Sequence, residues 1–102
     1  MNLQMVNKIV SLIQFAYRAR KVSFGESVIV KMMTSKIKLM ILAKDVAPTQ
    51  EKKYLQKAEF YNVKVIRLFS KEELGEIFEK DAVACIGIED NNISKEIIKI
   101  NT

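Results

Sequence analysis

The 102-residue sequence predicts an α/β fold, a three-layer α-β-α sandwich built on a mixed, largely parallel sheet of about four strands. Three observations carry this expectation. The runs "KLMILA" (38–43), "VKVIRLF" (63–69) and "AVACIGIE" (82–89) are apolar with little alternation, as strands covered on both faces are. A stretch of helical periodicity separates each run from the next, the order that βαβ units produce. With 49% hydrophobic and 28% charged residues, the length suits one domain over residues 1–102, too short for two cores.

The elements follow in chain order. Across residues 2–19, Met5, Ile9, Leu12, Ile13, Ala16 and Tyr17 recur at three- and four-residue spacing, which predicts a helix with one buried face. Lys21-Val22-Ser23-Phe24 is β-prone and too short for a helix, and Gly25 lets the chain turn without a Cβ penalty. Residues 26–35 place Val28, Ile29, Met32 and Met33 on one helical face, with Glu26 at the positive end of the dipole and the end near Lys36. After the first long strand, "DVAPTQ" supplies Pro48 and an expected N-cap at Thr49, and Tyr54, Leu55, Ala58 and Tyr61 suit the helix that follows. Ser70-Lys71-Glu72-Glu73 has capping-box spacing, with Leu74, Ile77 and Phe78 expected inward. The segment "NNISKEIIKI" predicts a last helix through Ile93, Ile97 and Ile100. No repeat, low-complexity tract or linker interrupts the chain.

The residue inventory narrows the chemistry. No histidine is present, which removes histidine-dependent triads and zinc sites. Cys85 is the single cysteine; it can form no internal disulfide and reads as a small buried hydrophobe. The methionines beyond Met1 read as core. Gly75 and Gly87 stand alone, so no phosphate-cradling glycine loop exists, and Glu72, Glu73, Glu76 and Glu79 read as a solvated helix face. An enzyme with an acidic site has only that carboxylate cluster behind it; the expectation is no catalytic residue, no metal and no cofactor. No apolar stretch approaches the roughly 20 residues of a membrane span. A cytoplasmic monomer without membrane contact is expected.

Charge is unevenly spread. Residues 1–44 hold eight Lys/Arg against Glu26 alone, a net +7, while residues 45–102 carry −2. A basic half suggests a polyanion, most simply nucleic acid, with an ordinary solvated surface as the alternative. The stretch "FAYRARKVSFGES" (15–27) concentrates this charge: Arg18, Arg20 and Lys21 end one helix, and Gly25 opens the next with its amides exposed to an anion. Lys31 and Lys44 are expected to border the same end of the sheet. Phe24 either stacks on a base or joins the core. Ser27 can make one hydrogen bond to a base edge or phosphate; Val28 can make none.

Four strings in order, "FAYRARKVSFGESVIVK", "KIKLMILAKDVAP", "YNVKVIRLFSKEELG" and "AVACIGIED", resemble the small ribosomal proteins of the kink-turn-binding superfamily, most closely its bacterial YlxQ-type branch. The resemblance runs from about residue 10 to residue 98. It implies an RNA-binding sandwich, ribosome-associated, that grips a bent internal loop with the start of the second helix and neighbouring loops. Gly25 matches the family's turn glycine and Lys31 its lysine one turn into the helix. Strong kink-turn readers place Asn-Glu where Ser27 and Val28 stand, so the base-reading pair is absent here. Glu26 after Gly25 is similar to other YlxQ-type chains. Ala43-Lys44-Asp45-Val46 matches an acidic string, with Lys44 replacing a common glutamate. The loop that cups a flipped-out base falls on Glu79, Lys80, Asp81, Ala82 and Val83, and Glu79 stands where family members often have glycine. The alternative is a protein-interaction module that kept the fold and lost RNA recognition.

Overall fold

Asn2 accepts a hydrogen bond from the Met5 N–H and so caps α1 (Leu3–Arg18), the first element of a computed structural model that describes residues 1–102. Only Ile9, Ile13 and Ala16 are buried along it. Met5 and Tyr17, expected on the same face, are exposed, because α1 lies in an outer layer and seats a narrow stripe on its neighbours. The order continues β1 (Val22–Phe24), α2 (Glu26–Met33), β2 (Leu39–Leu42), α3 (Pro48–Phe60), β3 (Lys64–Arg67), α4 (Lys71–Ile77), β4 (Cys85–Ile88) and α5 (Asn91–Asn101).

The four strands are arranged β1-β4-β2-β3 in one mixed sheet. Parallel pairing is confined to β2 and β3, with Leu39 opposite Lys64 and Leu42 opposite Arg67, a smaller share than the alternation of strands and helices predicts. Strand β4 runs antiparallel to both β1 and β2. The reason lies in the segment before it. The Val83 N–H donates to the Lys71 carbonyl at 3.0 Å, so residues 71–83 close on themselves and release the chain at the end of the sheet where β3 stopped. Strand β4 therefore runs back between β1 and β2.

Side-chain alternation along β2 divides the core. Leu39 and Ile41 face a cluster with Ile9, Ile13, Leu74, Ile86 and Ile97, under α1, α4 and α5. Met40 and Leu42 face the other cluster, with Val28, Ile29, Met32, Tyr54 and Ala58, under α2 and α3. Strands β2 and β4 are buried along their full length, as continuous apolar runs demand. Strand β3 departs from that expectation: it is an edge strand on which only Ile66 is buried, and exposed Lys64 and Arg67 blunt its open side.

The helix ends explain the remaining differences. Ala47 rather than Thr49 is the N-cap of α3, since Pro48 occupies the first helical position, where its missing N–H costs nothing. The capping box at Ser70 and Glu73 forms as expected. Helices α1 to α4 all end in one device: Arg20, Ser35, Asn62 and Glu79 take φ values of 61°, 60°, 57° and 58°. The next N–H in each case reaches back five residues, as from Lys21 to Ala16 and from Lys80 to Gly75, both at 2.9 Å. The left-handed turn at Ser35 ends α2 at Met33, short of the expected end near Lys36, and no glycine announces it in the sequence. Met33 itself is exposed, as a residue at the outer rim of the final turn.

Candidate nucleic-acid interface

Strands β1, β2 and β3 end, and β4 begins, at one edge of the sheet, where the N-termini of α2 and α3 and the loop 79–84 also converge. Gly25 turns the chain there with φ 55° and ψ −128°, a conformation that a side chain would strain. Its N–H donates to the Cys85 carbonyl at 3.2 Å, which ties the turn to β4. Gly25 offers α2 no side-chain cap, and the first backbone bond into the helix comes from Val28, so the amides of Glu26 and Ser27 are left for an outside acceptor.

The loop is held against this turn by a second glycine. A Cβ on Gly75 would stand 2.7 Å from the Lys80 carbonyl oxygen and 3.0 Å from the Ala82 backbone, so its absence lets the loop lie flat on α4. Glu79 adopts the left-handed conformation that a glycine takes readily. Lys80 Nζ then sits 4.9 Å over the centre of the Phe24 ring. The ring is half-buried and packs edge to face on Phe78 and Tyr17, with centroids 4.9 and 5.9 Å away. Phe24 thus braces the aromatic cluster while its lysine-covered face borders solvent.

Between these parts lies an open cleft of about 290 Å³, lined by Phe24, Gly25, Gln50, Tyr54, Lys80 and residues 82–85. The Tyr54 ring is buried and its hydroxyl oxygen lies 3.9 Å from where a Gly25 Cβ would be. Burial first, then Cys85 and Glu26, push its pKa up to about 12, so the phenol stays protonated. Cys85 closes the floor; burial pushes its thiol up to about 12 as well.

The structure distributes the remaining sequence-predicted residues unevenly. Glu26 pairs with Lys53, linking α2 to α3 beside the cleft, and Ser27 is exposed next to it. Val28 is wholly buried and faces the core, so it does not reach the surface. Lys44, Asp81 and Ala82 are exposed at this end, and Val83 is buried beneath the loop. The Asp45 carboxylate accepts the Lys71 N–H at 2.7 Å and serves the start of α4. Arg18 borders the other side of the loop, in a hollow with Tyr17, Phe78 and Glu79, and Arg20 is exposed in the turn after α1. Lys31 points away from the cleft, donating to Glu89 at 2.9 Å. Lys21 lies at the far end of β1, where its carbonyl accepts the Glu89 N–H at 2.8 Å.

Sequence reasoning missed Gln50 and Tyr54 in the cleft and Glu89 beneath α2. Tyr54 carried a readable signal, since a tyrosine on a buried helical face still needs a polar outlet for its hydroxyl. Gln50 and Glu89 carried none.

Fold and site together define a small α/β protein whose free helix amides and loop lysine suit an anionic ligand. The chain belongs to the ribosomal protein L7Ae/L30e/S12e/Gadd45 family, whose sequence pattern matches residues 7–98. Over 90 residues it is 29% identical to the RNA-binding protein YlxQ of Bacillus subtilis (strain 168), covering 87% of this chain and 90% of that protein. The RNA-binding protein YlxQ of Enterococcus faecium is 32% identical over 90 residues, covering 87% and 86%. Among solved structures, a Bacillus halodurans C protein of unknown function superposes with a TM-score of 0.85 at 29% identity, over 91% of this chain and 95% of that one. The Giardia lamblia 15.5kD RNA binding protein shares the fold, with a TM-score of 0.81 at 18% identity over 99% and 91% of the two chains. No helix is long and apolar enough to cross a membrane.

Proposed function

We propose that this chain is a non-catalytic RNA-binding protein of the ribosome-associated kind, which recognises structured RNA at a kink-turn or related internal loop. The carrying observation is the juxtaposition of the uncapped α2 N-terminus at Gly25 with Lys80 and the cleft behind Phe24. The amides of Glu26 and Ser27 receive a phosphate, and Lys44, Lys80 and Arg18 supply positive charge around it. Gly25, Asp81, Ala82 and Val83 shape the surface, and Phe24 and Ser27 offer contacts to an unstacked base. The names of the YlxQ relatives support RNA as the ligand.

Burial of Val28 and the ion pair of Glu26 leave Ser27 as the one exposed, unpaired side chain of the first turn, so phosphate and shape contacts dominate over base reading. Those same features favour a second reading, a protein-docking module on this fold. Filter binding at low salt against a kink-turn RNA and the same RNA with its loop paired separates the two. Preference for the intact loop is expected; retention of neither RNA would overturn the proposal.

A further inference from the structure

The sequence gathers its amino-terminal cations in one stretch, but the fold divides them between the two ends of the sheet. Lys21 precedes β1 and Gly25 follows its last residue, so the three residues of the strand, four Cα-to-Cα steps of extended chain, separate them by about 13 Å. At the Lys21 end, the turn after α2 brings Lys36 and Lys38 beside it, around an open hollow of about 340 Å³ lined by Lys21, Ser35, Lys36, Lys38 and Glu89 with no apolar residue. None of the three lysines makes an ion pair. Glu89, the only acid in the hollow, is already engaged by Lys31 at 2.9 Å and by the Ser23 hydroxyl at 2.9 Å. The Lys38 ammonium reaches the Ser35 carbonyl at 3.1 Å, which holds the side chain along the hollow's rim. The exposed side of α2, with Ser27, Val30 and Thr34, connects this hollow to the Gly25 end over the roughly 12 Å of an eight-residue helix.

We infer that Lys21, Lys36 and Lys38 form a second phosphate-contacting surface, which holds the duplex stem of an RNA whose internal loop sits at the Gly25 end. The inference rests on the RNA-binding reading above and extends it: the ligand is a loop with a stem long enough to run the length of α2. Three ammonium groups without an ion-pair partner, of which only Lys21 also feels the charge of Glu89, stand on an apolar-free surface and suit a run of phosphates, where each contact releases counterions and carries no base information. They equally complement the negative end of the α2 dipole, an effect that would change stability alone and leave RNA affinity untouched.

The test uses the full chain and two RNAs that share one internal loop, one with a stem cut close to the loop and one with that stem extended by a further helical turn. Filter binding is measured across a salt series for the wild type and for the triple variant Lys21→Glu, Lys36→Glu, Lys38→Glu, with the triple alanine variant as a milder companion and circular dichroism as the folding check. For the long-stem RNA the triple glutamate variant is expected to lose at least about tenfold in affinity, and the alanine variant to lower the salt slope by about 3. For the short-stem RNA both variants are expected to bind within about threefold of the wild type. Equal losses on the two RNAs, or none on either, overturn the stem surface while the loop site stands. Absence of wild-type binding to either RNA overturns the functional reading and this one with it.

Discussion

The Lys31 ammonium donates to Glu89 Oε2 at 2.9 Å and so pins the last turn of α2 to the residue that follows β4. Burial alone would raise the Glu89 carboxyl, but hydrogen bonds from Lys31 and Ser23, with the charges of Lys31 and Lys21, outweigh it and hold the pKa below the ordinary 4.5. A carboxyl depressed on folding stabilises the native state above its unfolded pKa, and that stability is lost as pH falls through the lower folded value. Glu89→Gln is therefore expected to cost about 1 kcal/mol at pH 7, discounted for the half-open lysine. Urea titrations should show the difference from wild type shrinking as pH drops below the ordinary carboxylate range. A gap that stays constant to strongly acid pH would assign the loss to packing instead of charge.

Glu79 tests how the loop is built. Its φ of 58° costs a residue with a Cβ roughly 1–2 kcal/mol relative to glycine, whereas glycine brings up to about 1 kcal/mol of extra unfolded-state entropy. The first effect is the larger, so Glu79→Gly should stabilise by about 0.5 kcal/mol, read as a raised denaturation midpoint with an unchanged m-value. Glu79→Ala keeps the Cβ and should give no gain. Equal midpoints for the glycine and alanine variants would show that the turn stores no strain.

The contrast between these residues shows what the sequence disclosed. Helices and strands were legible because burial imposes periods of 3.6 and 2, and the two buried strands announced themselves as apolar runs. Edge position was not: "VKVIRLF" reads like "KLMILA", yet only pairing order leaves Lys64 and Arg67 in solvent. Helix ends were blurred because Arg20, Ser35 and Glu79 turn the chain where glycine would have marked it. The turn at Gly25 was legible through local chemistry, and the loop 79–83 enters the proposed site through the family resemblance. The separation of Lys21 from Gly25 was not, because closeness in sequence becomes distance once the intervening residues extend as a strand.

Cys85 makes a prediction independent of RNA. With its thiol buried and its pKa pushed from 9.0 to about 12, the thiolate is scarce at pH 8 and shielded from reagents. Alkylation by iodoacetamide at pH 8 should be negligible in the native protein and complete in strong denaturant. Rapid native labelling would mean that the cleft floor opens.

Gly75→Ala addresses the loop from below. In a helix interior alanine gains about 1 kcal/mol over glycine, but here the new Cβ meets backbone atoms of Lys80 and Ala82 that cannot step aside singly. Overlap of this kind costs about 1–3 kcal/mol and wins, so the variant should be destabilised and its loop displaced from Phe24. Proton chemical shifts of the Phe24 ring, which now lies under the Lys80 ammonium, report the displacement. A stabilised variant with unchanged Phe24 shifts would show that α4 yields and the loop does not depend on Gly75.

Lys80 and Phe24 separate charge from stacking at the proposed RNA surface. Lys80→Ala removes one phosphate contact, and the salt slope of RNA affinity should fall by about 1 unit. It also uncovers the Phe24 face that the ammonium now occupies, at a stability cost of at most about 1 kcal/mol for an exposed cation–π pair. Phe24→Leu keeps an apolar body against Phe78 and Tyr17 but presents no ring to a base, a contact worth about 1–3 kcal/mol in other single-strand binders. If bases stack there, Phe24→Leu lowers affinity about tenfold or more without changing the salt slope, and Lys80→Ala changes the slope. If Phe24 serves the aromatic cluster alone, the leucine variant loses thermal stability and binds RNA as wild type does. Filter binding over a salt series, paired with thermal melts of each variant, decides between the two roles.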